Sequence, residues 1–272
     1  MNCPICEKNA TLKFKSKLKK IVYQCQNQKC CHLFVEGFKE ETGLCDRGDD
    51  TSYDSLKSQR DNRLAIYGRR NQMMFENARN YLGLGDSFRV LDFGSGDGNL
   101  MHSLRTIYPN ANITCIEPHT IFRELLCEVA DSVVGCVEEL DGRFDLIVLN
   151  EVIEHLNTPV EYMSLLSGFL NKDSGAVFLA TPLGENHQGS NDTSAYCTES
   201  HLHFFTRKSL NMCLEKSGLT SLDTYDMNYP IYSSAPIMDV TLKSRLKRSI
   251  RDFLFDKLFR MKSKYCILPS AH

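Results

Sequence analysis

The chain has 272 residues, with 32 Lys and Arg against 34 Asp and Glu, for a net charge of −2. That length holds one sizeable domain plus an appendage, and the near-neutral balance gives no global case for a nucleic-acid partner. Apolar residues make up 42 % and charged residues 24 %, an ordinary globular composition, and no apolar run is long enough to span a bilayer.

Met1-Asn2-Cys3-Pro4 offers neither a basic start nor an apolar core, so no signal peptide is expected. Twelve cysteines without an export signal read as thiols or metal ligands of a cytoplasmic protein rather than as disulfides. Residues 1–38 read as a unit of their own. Cys3-Pro4-Ile5-Cys6 is a C-x2-C knuckle ahead of a basic, strand-like segment from Thr11 to Tyr23. Cys25-Gln26-Asn27-Gln28-Lys29-Cys30-Cys31-His32 follows. Two cysteine pairs joined by a hairpin match a zinc ribbon, in which four thiolates hold a tetrahedral ion and leave no position open for catalysis. So short a segment scarcely buries a core without such a staple. Gln28 stands where the second cysteine of the second knuckle would fall, so ordinary thiols compete with the zinc reading. Cys3, Cys6, Cys25 and Cys30 are the expected ligands. Cys31 is the alternative fourth, and His32 a weaker substitute.

Residues 39–85 read as a polar linker followed by a helix from about Leu56 to Leu82 that breaks or kinks at Gly68. Tyr67, Arg69 and Arg70 either face a ligand or form an exposed basic turn.

The stretch Val90-Leu91-Asp92-Phe93-Gly94-Ser95-Gly96-Asp97-Gly98-Asn99 reads as a buried strand, a glycine turn and a helix start. Glycine tolerates positive φ and lets another molecule approach the backbone closely. A turn of that kind at the carboxyl end of a parallel strand suits a nucleotide-like ligand. The dinucleotide pattern G-x-G-x-x-G does not fit, because position 99 is Asn and the third glycine falls one residue early. Asp92 would also repel a pyrophosphate, yet it can accept hydrogen bonds from a cationic amino-acid ligand. A second strand, Asn112 to Ile116, ends in Glu117-Pro118, where a carboxylate can take both hydroxyls of a ribose.

This arrangement resembles motif I and the acidic loop of class I S-adenosylmethionine-dependent methyltransferases, from about residue 56 to 226. The resemblance implies that Asp92, Gly94, Ser95, Gly96, Gly98, Glu117, Pro118 and Asn150 hold the cofactor, with Val137 and Glu138 beside its adenine. The chain then alternates in the order such a fold requires. A helix from about Asn99 to Ile107 precedes the second strand, and one from about Ile121 to Ala130 follows it. Val133–Val137 and Phe144–Asn150 are further strands. A helix from about Pro159 to Leu170, a strand over Ala176–Thr181, a helix from about Lys208 to Ser217 and a strand over Ser221–Asp226 complete the series. The expected architecture is a doubly wound, Rossmann-like, seven-stranded sheet over residues 86–226.

Glu151-Val152-Ile153-Glu154-His155 follows the fourth strand of that sheet. On a helix, Glu151, Glu154 and His155 share an arc of about 100°. Such a group can hold a divalent cation such as Mg2+, or His155 can act as a general base oriented by a carboxylate. An acidic helix start explains the glutamates but not the histidine. E-x-x-E-H here is similar to the metal-binding motif of quinone-precursor and small-RNA methyltransferases. His201-Leu202-His203-Phe204-Phe205-Thr206 resembles the same group, and alternation places His201 and His203 on one face, toward the metal or the substrate. Between them and the fifth strand, residues 182–205 form a loop of lid length.

Residues 227–272 read as a basic tail. From Thr241 to Lys264 there are nine Lys and Arg and two Asp, and Leu242, Leu246, Ile250, Phe253, Leu254 and Leu258 trace one stripe at helical spacing. That face can lie on an anionic membrane, on its own domain or on a partner subunit in a homo-oligomer.

The resemblance implies methyl transfer to an oxygen of a small molecule. Zinc ribbons in front of such domains look similar to those of sugar-modifying enzymes, which ranks a sugar or glycan intermediate first. A quinone-type phenol ranks second and RNA third. A non-enzymatic nucleic-acid adaptor built on the ribbon and tail is the rival from another class, and salt-sensitive binding without methyl transfer would mark it.

Overall fold

The computed structural model describes residues 1–15, 20–35, 52–172, 174–182, 184, 201–220, 223–228 and 262–269. Three short strands open the chain: β1 (Ala10–Lys15), β2 (Ile21–Cys25) and β3 (Leu33–Val35). The helix α1 (Tyr53–Leu82) leads into β4 (Arg89–Phe93), α2 (Asn99–Ile107), β5 (Asn112–Ile116), α3 (Thr120–Leu126) and β6 (Ser132–Val134). Then come β7 (Leu146–Asn150), α4 (Pro159–Ser167), β8 (Ala176–Pro182), β9 (His203–Phe204) and α5 (Arg207–Lys216). The last strands are β10 (Asp223–Asn228) and β11 (Lys262–Pro269).

Seven strands form the main sheet in the order β10-β11-β8-β7-β4-β5-β6. β8, β7, β4, β5 and β6 pair in parallel, whereas β11 runs antiparallel to both of its neighbours. Alternate side chains of each central strand leave for opposite faces. Val90, Leu146, Val148, Ala176 and Phe178 join a cluster with Met74, Phe75, Leu100, Met101 and Leu104, under α1 and α2. Leu91, Phe93, Ile147, Leu149, Val177 and Leu179 join one with Met163 and Leu166 of α4 and Leu210, Cys213 and Leu214 of α5. Both faces are covered, which is why these strands read as unbroken apolar runs.

The antiparallel β11 moves the expected end of the domain. The sheet does not close near residue 226, because the chain returns at 262–269 to insert a strand between β8 and β10. Lys262–Lys264, counted with the expected tail, begin β11, and the apolar stripe from Leu242 to Leu258 lies outside the described residues. So does most of the lid-length loop. Among the described residues, no helix is long and apolar enough to cross a membrane.

The first 38 residues are not a separate body. Their sheet has the order β1-β2-β3-β9, so its fourth strand comes from residues 203–204. Cys3, Ile5, Cys6, Cys25, Cys30 and Phe34 share one apolar cluster with Phe205, Leu210 and the central strands. Thr206, the N-cap of α5, donates its hydroxyl to the Cys30 carbonyl at 2.9 Å. Lys208 Nζ donates to the Gln28 carbonyl, and Lys216 pairs with Glu7 at 2.7 Å.

Two further expectations need correction. α1 runs unbroken through Gly68, which is buried where a Cβ would sit 3.9 Å from Ser103 Oγ of α2. The helix carries this glycine without a kink, and a Cβ there would make only an ordinary contact. The third parallel strand ends at Val134, and Val137 lies in a separate 3-10 turn, Val137–Glu139. The remaining helices and strands begin and end within a few residues of the expected positions, with α3 stopping at Leu126 rather than near Ala130.

Candidate active site

The glycine turn sits at the carboxyl end of β4. Gly94, Gly96 and Gly98 all have positive φ, at 77°, 53° and 76°. A Cβ on Gly94 would meet Val152 Cγ2 at 2.8 Å, and one on Gly98 would meet Leu126 Cδ2 at 2.8 Å. Nothing lies within 4 Å of the same position on Gly96. The outer two glycines are thus required by packing, and the central one borders open space. The amides of Gly94 and Ser95 donate to the Ile116 carbonyl at 3.0 and 3.1 Å. The amide of Gly96 donates to Glu117 Oε2 at 2.9 Å, and that of His119 to Glu117 Oε1 at 3.1 Å. Glu117 is buried, while Pro118 beside it is exposed.

Three buried carboxylates gather around this turn: Asp92, Asp97 and Glu117. Asp97 begins α2 by accepting from the Asn99 amide at 3.2 Å and its side-chain nitrogen at 2.8 Å. Its other oxygen takes Arg63 of α1 at 2.7 Å. The Asp92 Oδ2 atom is buried without a hydrogen-bond partner. Burial, reinforced by the neighbouring Glu117 and Asp97, pushes the Asp92 carboxyl up to about 7. Ser95 Oγ donates to the Asp92 carbonyl at 2.8 Å, closing the turn. An uncompensated buried carboxyl among acids suits a cationic ligand group.

The second half of the site lies after β7. Asn150, half-buried, is the last residue of that strand. The segment 151–156 is not an α-helix, so the arc a helix would have given does not apply. Glu151 takes φ 59°, its amide donates to the Ala180 carbonyl at 2.9 Å, and only Ile153–His155 make a single 3-10 turn. With the helical arc gone, Glu151 is not in the group whose donor atoms converge. That group is Glu154, His155 and His201, one ligand atom from each lying within 4.8 Å of the others. The rings of His155 and His201 meet edge-on at 4.7 Å. Glu154 is buried, with Oε2 accepting from Thr181 Oγ1 at 2.9 Å and Oε1 without a hydrogen-bond partner. Burial, and then the charge of Glu151, pushes its carboxyl well above the usual range. Val152, whose methyls fill the space a Cβ on Gly94 would take, sets this segment against the glycine turn.

His203 parts company with His201. β9 begins at His203, and the two histidines have different partners, His201 meeting the His155 ring and His203 lying against His32. His203 is buried, its Nε2 2.8 Å from the Leu156 carbonyl and its Nδ1 3.0 Å from His32 Nε2. Burial lowers its ring to about 4. Tyr67 is half-buried on α1 with Arg70 stacked over its ring at 4.8 Å. Val137 is half-buried against the cluster that holds Phe93 and Leu149. Sequence reasoning passed over Arg63, Asp97 and Thr181. Asp97 lay within the glycine motif and could have been found there, but the partners on α1 and β8 carry no local signal.

Apart from this site, Cys3, Cys6, Cys25 and Cys30 bring four buried sulfurs within 4.8 Å of one another. The Cys3–Cys30 and Cys6–Cys25 sulfur separations are 3.8 and 3.3 Å. A tetrahedron of thiolates about 2.3 Å from a zinc ion has edges of about 3.8 Å, so the group fits the ion. Cys31, at φ 54°, turns its sulfur to the Gln28 carbonyl at 3.3 Å instead. His32 is buried toward His203 and Ser209, away from the cysteines as a ligand.

A family model described as a methyltransferase domain matches residues 57–224. The chain belongs to the methyltransferase family. It is an S-adenosylmethionine-dependent, methyl-transferring enzyme of the class I fold. A methyltransferase of this cofactor class from Clostridium acetobutylicum ATCC 824 is similar in fold, with 12 % identity, TM-score 0.54, and 81 % of this chain and 99 % of that one covered. The plantazolicin methyltransferase BamL, solved with a triazolic desmethylPZN analogue and SAH, gives 13 %, 0.56, 80 % and 91 %. Coclaurine N-methyltransferase, bound to N-methylheliamine and SAH, gives 14 %, 0.50, 82 % and 75 %. No curated protein matches the chain.

The raised Asp92 carboxyl has a definite pH signature. Its folded value, about 7, lies above the usual value of 3.8. The stability this group contributes is therefore full below about pH 4 and is lost as pH rises through about 7. In the cofactor-free protein, Asp92→Asn should gain stability over the unaltered chain across that interval and hold the gain above it. Urea unfolding from pH 4 to 8 measures this, and a pH-independent difference would count against the assignment. For the cysteine group, metal analysis should find one zinc per chain, lost in Cys30→Ser and kept in Cys31→Ser.

Proposed function

We propose that this methyltransferase transfers the methyl group of S-adenosylmethionine to an oxygen of a small-molecule acceptor, with a sugar or glycan intermediate as the first class to test. The observation that carries the reading is the placement of Glu154, His155 and His201 against the glycine turn through Val152. The acid-lined turn suits the charged end of the cofactor, with Asp92 Oδ2 buried and free of a hydrogen-bond partner to accept from its ammonium group. Glu117, already set against the Gly96 amide, suits the ribose hydroxyls. Gly96 leaves the backbone open to close approach.

A methyl on positively charged sulfur is already electrophilic. The protein must align it with the acceptor and take the acceptor's proton. In this reading His155 receives the hydroxyl proton as the oxygen bonds to the methyl carbon and the carbon–sulfur bond breaks, leaving neutral S-adenosylhomocysteine. His155 and His201, in edge contact, flank the acceptor, and Glu154, anchored by Thr181, sets their charge. If a cation is held here, two imidazoles and one carboxylate suit a borderline transition metal better than Mg2+. The four-thiolate group is then a structural zinc site with no role in the chemistry.

Incubating the purified chain with methyl-labelled S-adenosylmethionine and fractionated host small molecules, lipids and RNA tests the reading. Label should enter a sugar or glycan fraction. Label in RNA or in a phenolic fraction would overturn the acceptor class, and salt-sensitive RNA binding without any label would favour the adaptor. His155→Gln should lower the rate by about 10²–10⁴-fold, the range of a positioned general base. Activity untouched by a chelator and by Glu154→Gln would rule out a catalytic cation.

A further inference from the structure

The ribbon and the reacting segment meet at one residue, Leu202. The Val35 amide of β3 donates to the Leu202 carbonyl at 3.0 Å, and the Leu202 amide donates to the Glu154 carbonyl at 2.9 Å. Beside this backbone path runs a buried side-chain path. Ser209 Oγ lies 3.1 Å from His32 Nδ1, His32 Nε2 lies 3.0 Å from His203 Nδ1, and His203 Nε2 lies 2.8 Å from the Leu156 carbonyl.

Donor accounting gives this path a direction. The Leu156 carbonyl can only accept, so His203 Nε2 carries the proton and Nδ1 of the neutral ring accepts. His32 Nε2 then donates, and its Nδ1 is an acceptor beside the Ser209 hydroxyl, for whose single proton the Thr206 carbonyl, also at 3.1 Å, competes. Both rings are buried, and burial favours the neutral forms that this order requires. The path starts two residues from Cys30 and ends on the residue after His155. Phe205 packs on both rings, at 4.9 Å from His32 and 5.7 Å from His203.

We propose that His32 and His203 are positioning residues for the methyl-transfer site, through which the cysteine ribbon fixes the orientation of the segment carrying Glu154 and His155 and of the adjoining His201. This rests on the reading of those three residues as the reacting end of the site. Neither His32 nor His203 touches the convergent donor atoms. Their effect passes through the Leu156 carbonyl, and without a donor there the carbonyl would have to turn toward water, taking the 3-10 turn with it.

The test uses the full, zinc-loaded chain labelled with ¹⁵N-histidine, in which eight imidazoles are to be assigned. His203→Phe keeps a ring but removes the donor at the site end, and His32→Phe does so at the ribbon end. His203→Gln keeps an amide donor for Leu156 and an acceptor for His32. Both Phe variants should displace the His155 and His201 resonances, while zinc content and S-adenosylhomocysteine affinity by calorimetry stay as in the unaltered chain. His203→Gln should restore the original resonances. Unmoved His155 and His201 signals in the Phe variants would overturn the proposal, as would His203→Gln behaving like His203→Phe. If one Phe variant fails to fold, the other decides. An unaltered chain that binds no S-adenosylhomocysteine would refute the methyltransferase chemistry instead, and the resonances would still decide the positioning role.

Discussion

Three successive amides at the end of β4 are held by two residues at the end of β5. Gly94 and Ser95 share the Ile116 carbonyl, and Gly96 takes the Glu117 carboxylate. Donors aimed sideways at the neighbouring strand require the chain to turn through left-handed conformations, which glycine adopts at no steric cost. The same turn brings α2 in against Leu126, sets Val152 against Gly94, and leaves Gly96 as the open floor. Carboxylates then collect around it, since Glu117 serves the turn and Asp97 starts α2. The binding face and the reacting face both take their positions from this turn.

A second constraint acts from the opposite side of the sheet. The segment after β7 is irregular: it opens with a non-glycine residue in left-handed conformation and holds only one 3-10 turn. Its carbonyls at 154 and 156 are satisfied by Leu202 and His203, and these in turn are held by the ribbon. This irregular segment is thus supported by residues at and beside β9, which pairs into the other sheet. The ribbon is itself anchored, since Cys3, Cys6, Cys25, Cys30 and Phe34 share an apolar cluster with Phe205 and Leu210, and β3 pairs with β9.

Much of this was legible in the chain. The parallel strands announced themselves as apolar runs because both of their faces are covered, and the glycine turn did so through its spacing and flanking acids. The expected group of Cys3, Cys6, Cys25 and Cys30 is the one whose sulfurs converge, while the Cys31 sulfur goes to a carbonyl. What failed did so for local reasons. The shared arc of Glu151, Glu154 and His155 held only on a helix, and the Glu151 amide instead donates to the Ala180 carbonyl. Alternation put His201 and His203 on one face of an extended segment but could not show their partners, which are His155 for the one and His32 for the other. β11 was hidden because its partners, β8 and β10, are remote in sequence, and a basic stripe just before it read as helix. Gly68 looked like a breaker, but a lone glycine within a helix as long as α1 is tolerated.

Calorimetric titration of S-adenosylhomocysteine into the purified chain and into Glu117→Ala tests the central claim most directly. One site per chain, lost or greatly weakened when the carboxylate that spans the turn is removed, is the result this account predicts. A folded chain that binds nothing, or a Glu117→Ala variant that binds as well as the original, would contradict it.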